Sequence, residues 1–249
     1  MRNFRATKEK VMTIKNILVV AGLVAVASAQ AVVYTQWNFN TLDGSGTTGT
    51  TTPSIGLGTA SLLGGVTATF ASGNSNGGST DPELSTDDTA WNLTTWAAQG
   101  AGSGTRGANF AVSTLGQKDI VVNWDNRHSN TSSRWLQFQY TTDGTSFSSA
   151  GLLNSGLFEA TAGDTWFNNR SVDLSTIAAV NNNANFAFRV VAVFAPSTTA
   201  YAAASTTGTY GTAGTVRFDM VTVNANPVPE PGSIMALGLG AVALLRRRK

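Results

Sequence analysis

The sequence predicts an all-β fold, an antiparallel β-sandwich of the jelly-roll kind. Short runs in which apolar and polar residues alternate recur between residues 32 and 223. The stretches between them are dominated by Gly, Ser, Thr and Asn, whose side chains and backbone freedom suit turns. Helical periodicity is almost absent. Many short strands separated by turn signals, with no intervening helices, pack as two sheets face to face.

Taken in order, residues 32–39 alternate, with Val33, Thr35, Trp37 and Phe39 on one face. Residues 41–60 carry fourteen Gly, Ser or Thr, which is loop or a weak edge strand. Residues 66–71 form a short strand presenting Val66, Ala68 and Phe70 together. Residues 72–83 (SGNSNGGSTDPE) read as a surface loop by their turn chemistry. Trp91 and Trp96 lie in an ambiguous segment, followed by a Gly-rich turn and a strand near 106–113.

The centre of the chain is clearer. Residues 120–127 and 134–141 alternate and are joined by the polar stretch 128–133. Asp143-Gly144 sets a tight turn leading to Phe147. Residues 166–174 make a weaker strand and 175–183 a short helical turn or loop. Residues 185–194 are the strongest strand, placing Phe186, Phe188, Val190, Ala192 and Phe194 on one face. Residues 216–223 close the body.

The two ends are of a different kind. Arg2, Arg5, Lys8, Lys10 and Lys15 precede an apolar core at 17–27, and Ala27-Ser28-Ala29 is an A-x-A cleavage site. Residues 1–29 therefore read as a secretory signal peptide, with Met12 as an alternative start, and the secretory translocon as the route. The other end, 227–249, reads PVPEPGSIMALGLGAVALLRRRK. Its prolines resist helix formation. The apolar run 234–245 would make a helix of about 18 Å against a hydrocarbon core of about 30 Å. The terminal cations Arg246, Arg247, Arg248 and Lys249 would stay on the cytoplasmic side. This predicts a short-lived tether to the inner membrane.

These ends also carry the positive charge. The chain has sixteen Lys and Arg against fourteen Asp and Glu, a net of +2. Residues 30–245 keep seven of the cations and thirteen of the acids, a net of −6. The high isoelectric point thus belongs to the ends, and it gives no support to nucleic-acid binding. There are no cysteines, so a disulfide framework and thiolate chemistry are excluded. The body, residues 30–226, is long enough for one domain held by packing and backbone pairing.

Pro229, Glu230 and Pro231, the short apolar segment and the cationic end, in that order at the terminus, resemble the PEP-CTERM sorting signal of Gram-negative bacteria. The resemblance implies processing by an exosortase-like membrane enzyme, with the cargo placed at the outer surface or in a polysaccharide-rich extracellular matrix. A second resemblance lies in the body, roughly from Asn109 to Val223. The segments SNTSSRWLQFQYTTDG, VDLS, VNNNANFAFR and GTVRFDMVTV look like a β-sandwich module that recurs in secreted bacterial proteins. The usual ending of that module has Asp-Asn where this chain has Asp219-Met220. The resemblance supports the fold and leaves the activity open.

Catalytic constellations are hard to find. His128 is the only histidine and lies in DNRHSN, and no G-x-S-x-G elbow exists, so it reads as a solvated or hydrogen-bonding loop residue. With one His and no Cys, zinc-type sites are excluded. Oxygen ligands for calcium exist at Asp81, Glu83, Asp87 and Asp88, but no EF-hand spacing is present and the plain reading is a solvated acidic loop. The glutamates of the body, Glu83 and Glu159, form no paired-acid motif. Gly102 to Gly107 matches G-x-G-x-x-G without the flanking strand and helix that would give it meaning. The expectation is a protein without catalytic residues, metal or cofactor.

Binding has more to work with. Asn123, Asp125 and Arg127 share one face of their run, and Trp135, Gln137 and Gln139 share one face of the next. If the two faces adjoin, amides, a carboxylate, a guanidinium and an indole would line a candidate glycan-contact surface. The plain alternative is a solvent-facing polar sheet. Arg189 and Arg217 sit inside apolar runs, where pairing with acids such as Asp219 or Asp173 is expected. The body thus reads as a structural or adhesive matrix component, or as a carbohydrate-binding module for extracellular polysaccharide. A secreted hydrolase is the remaining reading.

Overall fold

The computed structural model describes residues 31–229. Eleven strands form: β1 (Val32–Trp37), β2 (Thr59–Leu63), β3 (Thr67–Ser72), β4 (Thr89–Thr94), β5 (Gly107–Ala111), β6 (Gln117–His128), β7 (Trp135–Thr141), β8 (Leu157–Glu159), β9 (Thr165–Asp173), β10 (Ala187–Ala192) and β11 (Val216–Pro227). One sheet runs β3-β4-β11-β6-β9, with β1 also paired to β11, and the other runs β2-β5-β10-β7-β8. The pairings are antiparallel throughout. From β4 onward, the orders β4-β11-β6-β9 and β5-β10-β7-β8 are those of a jelly roll.

β11 is the seam of the larger sheet. Its first half takes β4 as neighbour (Phe218 opposite Trp91), and its second half takes β1 (Val221 opposite Trp37). Between the halves the register against β6 shifts at Asp219–Thr222, and Met220 has φ +47°. Such a bulge adds a residue to one strand and re-aims the side chains beside it.

The alternation read from the sequence fills the space between the sheets. Trp37, Phe39, Leu93, Phe110, Phe138, Phe186, Phe188 and Phe218 are all buried. Phe110, Phe188 and Phe138 stack in a row on β5, β10 and β7, with centroids 5.0 and 5.3 Å apart. Trp37 and Trp124, from the opposite sheet, close the row at 5.1 and 5.7 Å. Each such pair contributes about 0.5–1.5 kcal/mol beyond the area it buries. Both sheets and this core are built from residues 31–229.

Three local expectations are refined. The ambiguous tryptophan segment is β4, with Trp91 and Trp96 buried. The 143–144 turn is as read: Asp143 accepts the Thr145 and Ser146 N–H groups, and these bonds hold its carboxyl below the usual range. Residues 72–83 are the surface loop expected, with a buried underside. Gly73 and Gly78 are buried, and the loop folds over the outer face of the larger sheet. The expected signal peptide with Ala27 and Ala29, and the tail from Glu230 and Pro231 to Arg246, Arg247, Arg248 and Lys249, lie outside the described residues. Among the described residues no helix is long and apolar enough to cross a membrane.

Candidate functional site

The two polar triplets lie on different sheets. Asn123, Asp125 and Arg127 belong to β6, whose neighbours are β11 and β9, whereas Trp135, Gln137 and Gln139 belong to β7, between β10 and β8. The condition for a single glycan-contact surface, that the two faces adjoin, is therefore not met, and the triplets lie on the two sides of the sandwich. Period-two alternation assigns a residue to a face of its own strand, but it carries no information on which sheet that strand joins.

Two members of the β6 triplet, Asp125 and Arg127, are covered, and Asn123 is half-buried. Asp125 is 1% exposed and accepts the Thr80 N–H and hydroxyl at 2.6 Å each and the Asn169 N–H at 2.7 Å. Arg127 is also buried, paired with Asp164 at 2.7 Å and bonded to Asn76 at 3.1 Å. Asn123 accepts from the Asn224 amide at 2.8 Å. The loop 73–88 supplies Thr80 and Asn76, so Asp125 and Arg127 hold the loop down.

The β7 triplet is open. The register aligns Ser61, Asn109, Arg189 and Gln139 directly across β2, β5, β10 and β7. Their immediate neighbours Ala108, Phe110, Phe138, Phe188 and Val190 are buried, so this polar row faces out. Arg189 Nε donates to Gln139 Oε1 at 2.7 Å, and Gln139 Nε2 donates to Gln137 Oε1 at 2.7 Å. Gln137 in turn donates to the Ser155 carbonyl at 3.0 Å. The Arg189 guanidinium lies 4.4 Å from the centroid of Phe147, which fixes its plane. Among the described residues its Nη groups have no protein hydrogen-bond partner. Trp135, half-buried, stands further along β7 opposite Glu159. At the other end of the row is a depression of about 490 Å³ lined by Ser61, Leu63, Asn109, Phe147, Asn185 and Ala187.

Neither Arg189 nor Arg217 forms the expected ion pair. Arg217 donates to the Ser72 carbonyl at 2.6 Å instead, and Arg189 uses Gln139 and Phe147. Asp173 caps Ser175. A backbone carbonyl, a side-chain amide oxygen and a ring face serve here as the partners of the two guanidinium groups.

Asp219 has another set of neighbours, which the sequence does not reveal. Its carboxylate comes together with those of Asp81 and Asp88, with one oxygen from each lying within 4.8 Å of the others. Asp219 and Asp88 are buried and Asp81 is half-buried, in place of the solvated acidic loop expected from the sequence. Asp219 Oδ1 accepts the Met220 N–H at 2.7 Å across the bulge, and Asp81 Oδ2 accepts from Asn40 at 2.9 Å. Asp88 Oδ1 and Asp219 Oδ2 are buried without a hydrogen-bond donor. Burial pushes the Asp88 carboxyl up to about 6, helped by the nearby charges of Asp81, Asp125 and Glu83. The same cause raises Asp219 well above the carboxylate range, and it raises Asp81 as well.

His128 is 1% exposed at the end of β6 rather than in a solvated loop. Its Nδ1 donates to the Ser133 carbonyl at 2.9 Å, and its Nε2 accepts from the Asn126 amide at 2.5 Å. Burial lowers its pKa to about 3, outweighing the Ser133 bond, which acts the other way. An imidazole sealed and bonded at both nitrogens cannot exchange protons with a substrate.

Comparison with known proteins bears on the tail. No curated protein matches the chain. The CBM22-1 xylan-binding domain from Paenibacillus barcinonensis has a TM-score of 0.38 at 8% identity, over 68% of this chain and 87% of that one. A cleaved adhesin domain of Lys-gingipain from Porphyromonas gingivalis has a TM-score of 0.33 at 12% identity, over 70% of this chain and 100% of that one. The active domain of a bacteriophage CBA120 tailspike protein has a TM-score of 0.38 at 15% identity, over 76% of this chain and 22% of that one. Residues 227–249 match the PEP-CTERM protein-sorting motif. The chain is thus an exported β-sandwich that carries a PEP-CTERM sorting motif at its C-terminus.

Proposed function

We propose that the sandwich is the cargo of its tail and acts outside the cell as a non-catalytic adhesive component of a polysaccharide matrix, gripping glycan through the outer face of β2-β5-β10-β7-β8. The motif marks the chain for exosortase processing. In this reading the signal peptide directs secretory export, the apolar tail holds the body briefly at the inner membrane, and cleavage releases it to the surface of a Gram-negative cell.

The observation that carries the binding reading is the outward-facing row of Ser61, which is exposed, and Asn109, Arg189 and Gln139, which are half-buried, beside Phe147 and the depression at its end. A sugar offers adjacent hydroxyls and an apolar ring face. Free guanidinium N–H groups and side-chain amides suit the first, and aromatic faces suit the second. Trp135, Gln137 and Gln139 belong to this surface. Asp125 and Arg127 act under the loop as structural supports, and Asn123 ties β6 to Asn224 of β11.

The test is retention of residues 31–229 on the extracellular polysaccharide of the producing bacterium, beside Arg189→Ala and Trp135→Ala versions. The expected result is retention that falls about tenfold or more in the Arg189 variant, for the loss of about 1.4 kcal/mol. If the unaltered body passes through unretained, the matrix role is purely structural and placement depends on the tail.

A further inference from the structure

We propose that Asp81, Asp88 and Asp219 form a calcium site that fastens the 73–88 loop to the bulge of β11. The three carboxylates come from two separate parts of the chain and converge to within 4.8 Å, so each can offer an oxygen to one ion. Two of those oxygens, Asp88 Oδ1 and Asp219 Oδ2, are buried on residues 2% and 0% exposed and receive no hydrogen bond from the protein. A buried carboxylate oxygen without a donor carries a large desolvation cost, which a coordinated cation offsets. The charged groups that influence the trio most, Asp125 and Glu83, are themselves acids. Among the described residues no Lys or Arg pairs with any of the three.

The donor set is all oxygen, which suits a hard cation and excludes the softer metals that seek imidazole or thiolate. Calcium fits better than magnesium. Asp81 is held on a loop and Asp219 at a bulge, so the ligands can settle at about 2.3–2.6 Å around an ion that accepts irregular geometry, whereas magnesium demands a near-ideal octahedron. Asp81 is further steered by Asn40, and its Oδ1 accepts the Glu83 N–H at 3.0 Å. Asp125 stands beside the site but is committed to Thr80 and Asn169. The site lies on the opposite sheet from the proposed glycan face, so each can fail without the other.

The experiment is calcium titration of chelator-stripped residues 31–229 by calorimetry, followed by thermal unfolding with and without the ion and with magnesium in its place. The expected result is one calcium per chain and a rise in Tm of roughly 5–10 °C at one hundred times Kd, with magnesium giving less. Asp219→Asn and Asp88→Asn are expected to abolish uptake while the metal-free variants unfold at or above the temperature of the metal-free parent, because each removes one buried negative charge. Asp81→Asn, at the half-buried position, serves if either of those fails to fold, with at least a tenfold loss of affinity expected. Asp173→Asn, outside the cluster, is expected to bind as the parent does. Absence of uptake at millimolar calcium, or uptake undiminished in the cluster variants, would overturn the site and leave Asp88 and Asp219 as carboxyls sharing a proton. Equal response to magnesium would overturn the assignment to calcium.

Discussion

Asp88, on the approach to β4, and Asp219, at the bulge of β11, bring their carboxylates together against the Cα of Gly73. A Cβ on Gly73 would overlap Asp88 Oδ1 outright and meet Asp219 Oδ2 at 2.7 Å, which no side-chain adjustment of two buried carboxylates can absorb. Gly73→Ala is therefore expected to destabilise the body by about 1–3 kcal/mol, the usual range for forcing extra volume into a packed site. The denaturant midpoint measures this. It should be compared with Gly77→Ala, where the surrounding space is open and only the positive φ of +95° resists.

His128 gives a pH dependence with a definite sign. Its folded pKa of about 3 lies below the ordinary 6.5, so between these values the unfolded chain binds a proton that the folded chain refuses. Stability from this group is full above pH 6.5 and declines as the pH falls towards 3, by about 2 kcal/mol at pH 5. The raised carboxyls of Asp88 and Asp219 act in the opposite sense, gaining stability as the pH falls, so a bulk unfolding curve mixes the two. As His128 is the only histidine in the chain, its ring proton resonances report it alone. They are expected to stay at neutral-imidazole positions down to about pH 5. A midpoint near the ordinary value would contradict the sealed environment.

The sandwich was legible because burial on one face writes itself into a strand every second residue. Trp37, Phe110, Phe138 and Phe188 announce the core at that spacing. Sheet membership is written nowhere so local. Asp125 and Gln137 lie on strands consecutive in the chain, but the jelly roll sends those strands to opposite sheets. The loop that covers Asp125 begins as a run of Gly, Ser and Asn with every mark of solvent exposure, and only Thr80 and Asn76, pinned from β6, reveal its place. The Asp81, Asp88 and Asp219 cluster was hidden for the same reason. Two members are near neighbours in an acidic stretch, and the third arrives from the last strand, so no fixed spacing could signal it. Its one local mark was Met220 after Asp219, at the bulge where Met220 takes a positive φ and its N–H bonds the Asp219 carboxylate.

Phe188 sits at the centre of the aromatic row, stacked between Phe110 and Phe138 and fully buried. Phe188→Ala would leave a cavity flanked by the rings of Phe110 and Phe138, which cannot close without moving β5 or β7. A loss of about 3–5 kcal/mol is expected. Phe188→Leu should cost much less. Chemical denaturation of the two variants checks the ordering, and similar small losses for both would show that the row is not continuous.

Arg189→Lys separates the geometry of the proposed glycan face from its charge. The arginine is held in one plane by its Nε bond to Gln139 and by the Phe147 ring, and its two Nη groups have no hydrogen-bond partner among the described residues. Lysine keeps the charge and most of the stem but loses the planar fork, and its ammonium is a mobile point charge. If the surface recognises adjacent sugar hydroxyls through that fork, polysaccharide retention falls nearly as far in Arg189→Lys as in Arg189→Ala, while the thermal midpoint moves by only a degree or two. Should the lysine variant bind as the parent does, the attraction is one of charge alone. It would then disappear in about 0.5 M salt, where screening shrinks the reach of a surface charge to a few ångströms. Loss of both binding and fold in the two variants would instead make Arg189 a structural tie between β10 and β7, and would shift the search for contact residues to Trp135 and Asn109.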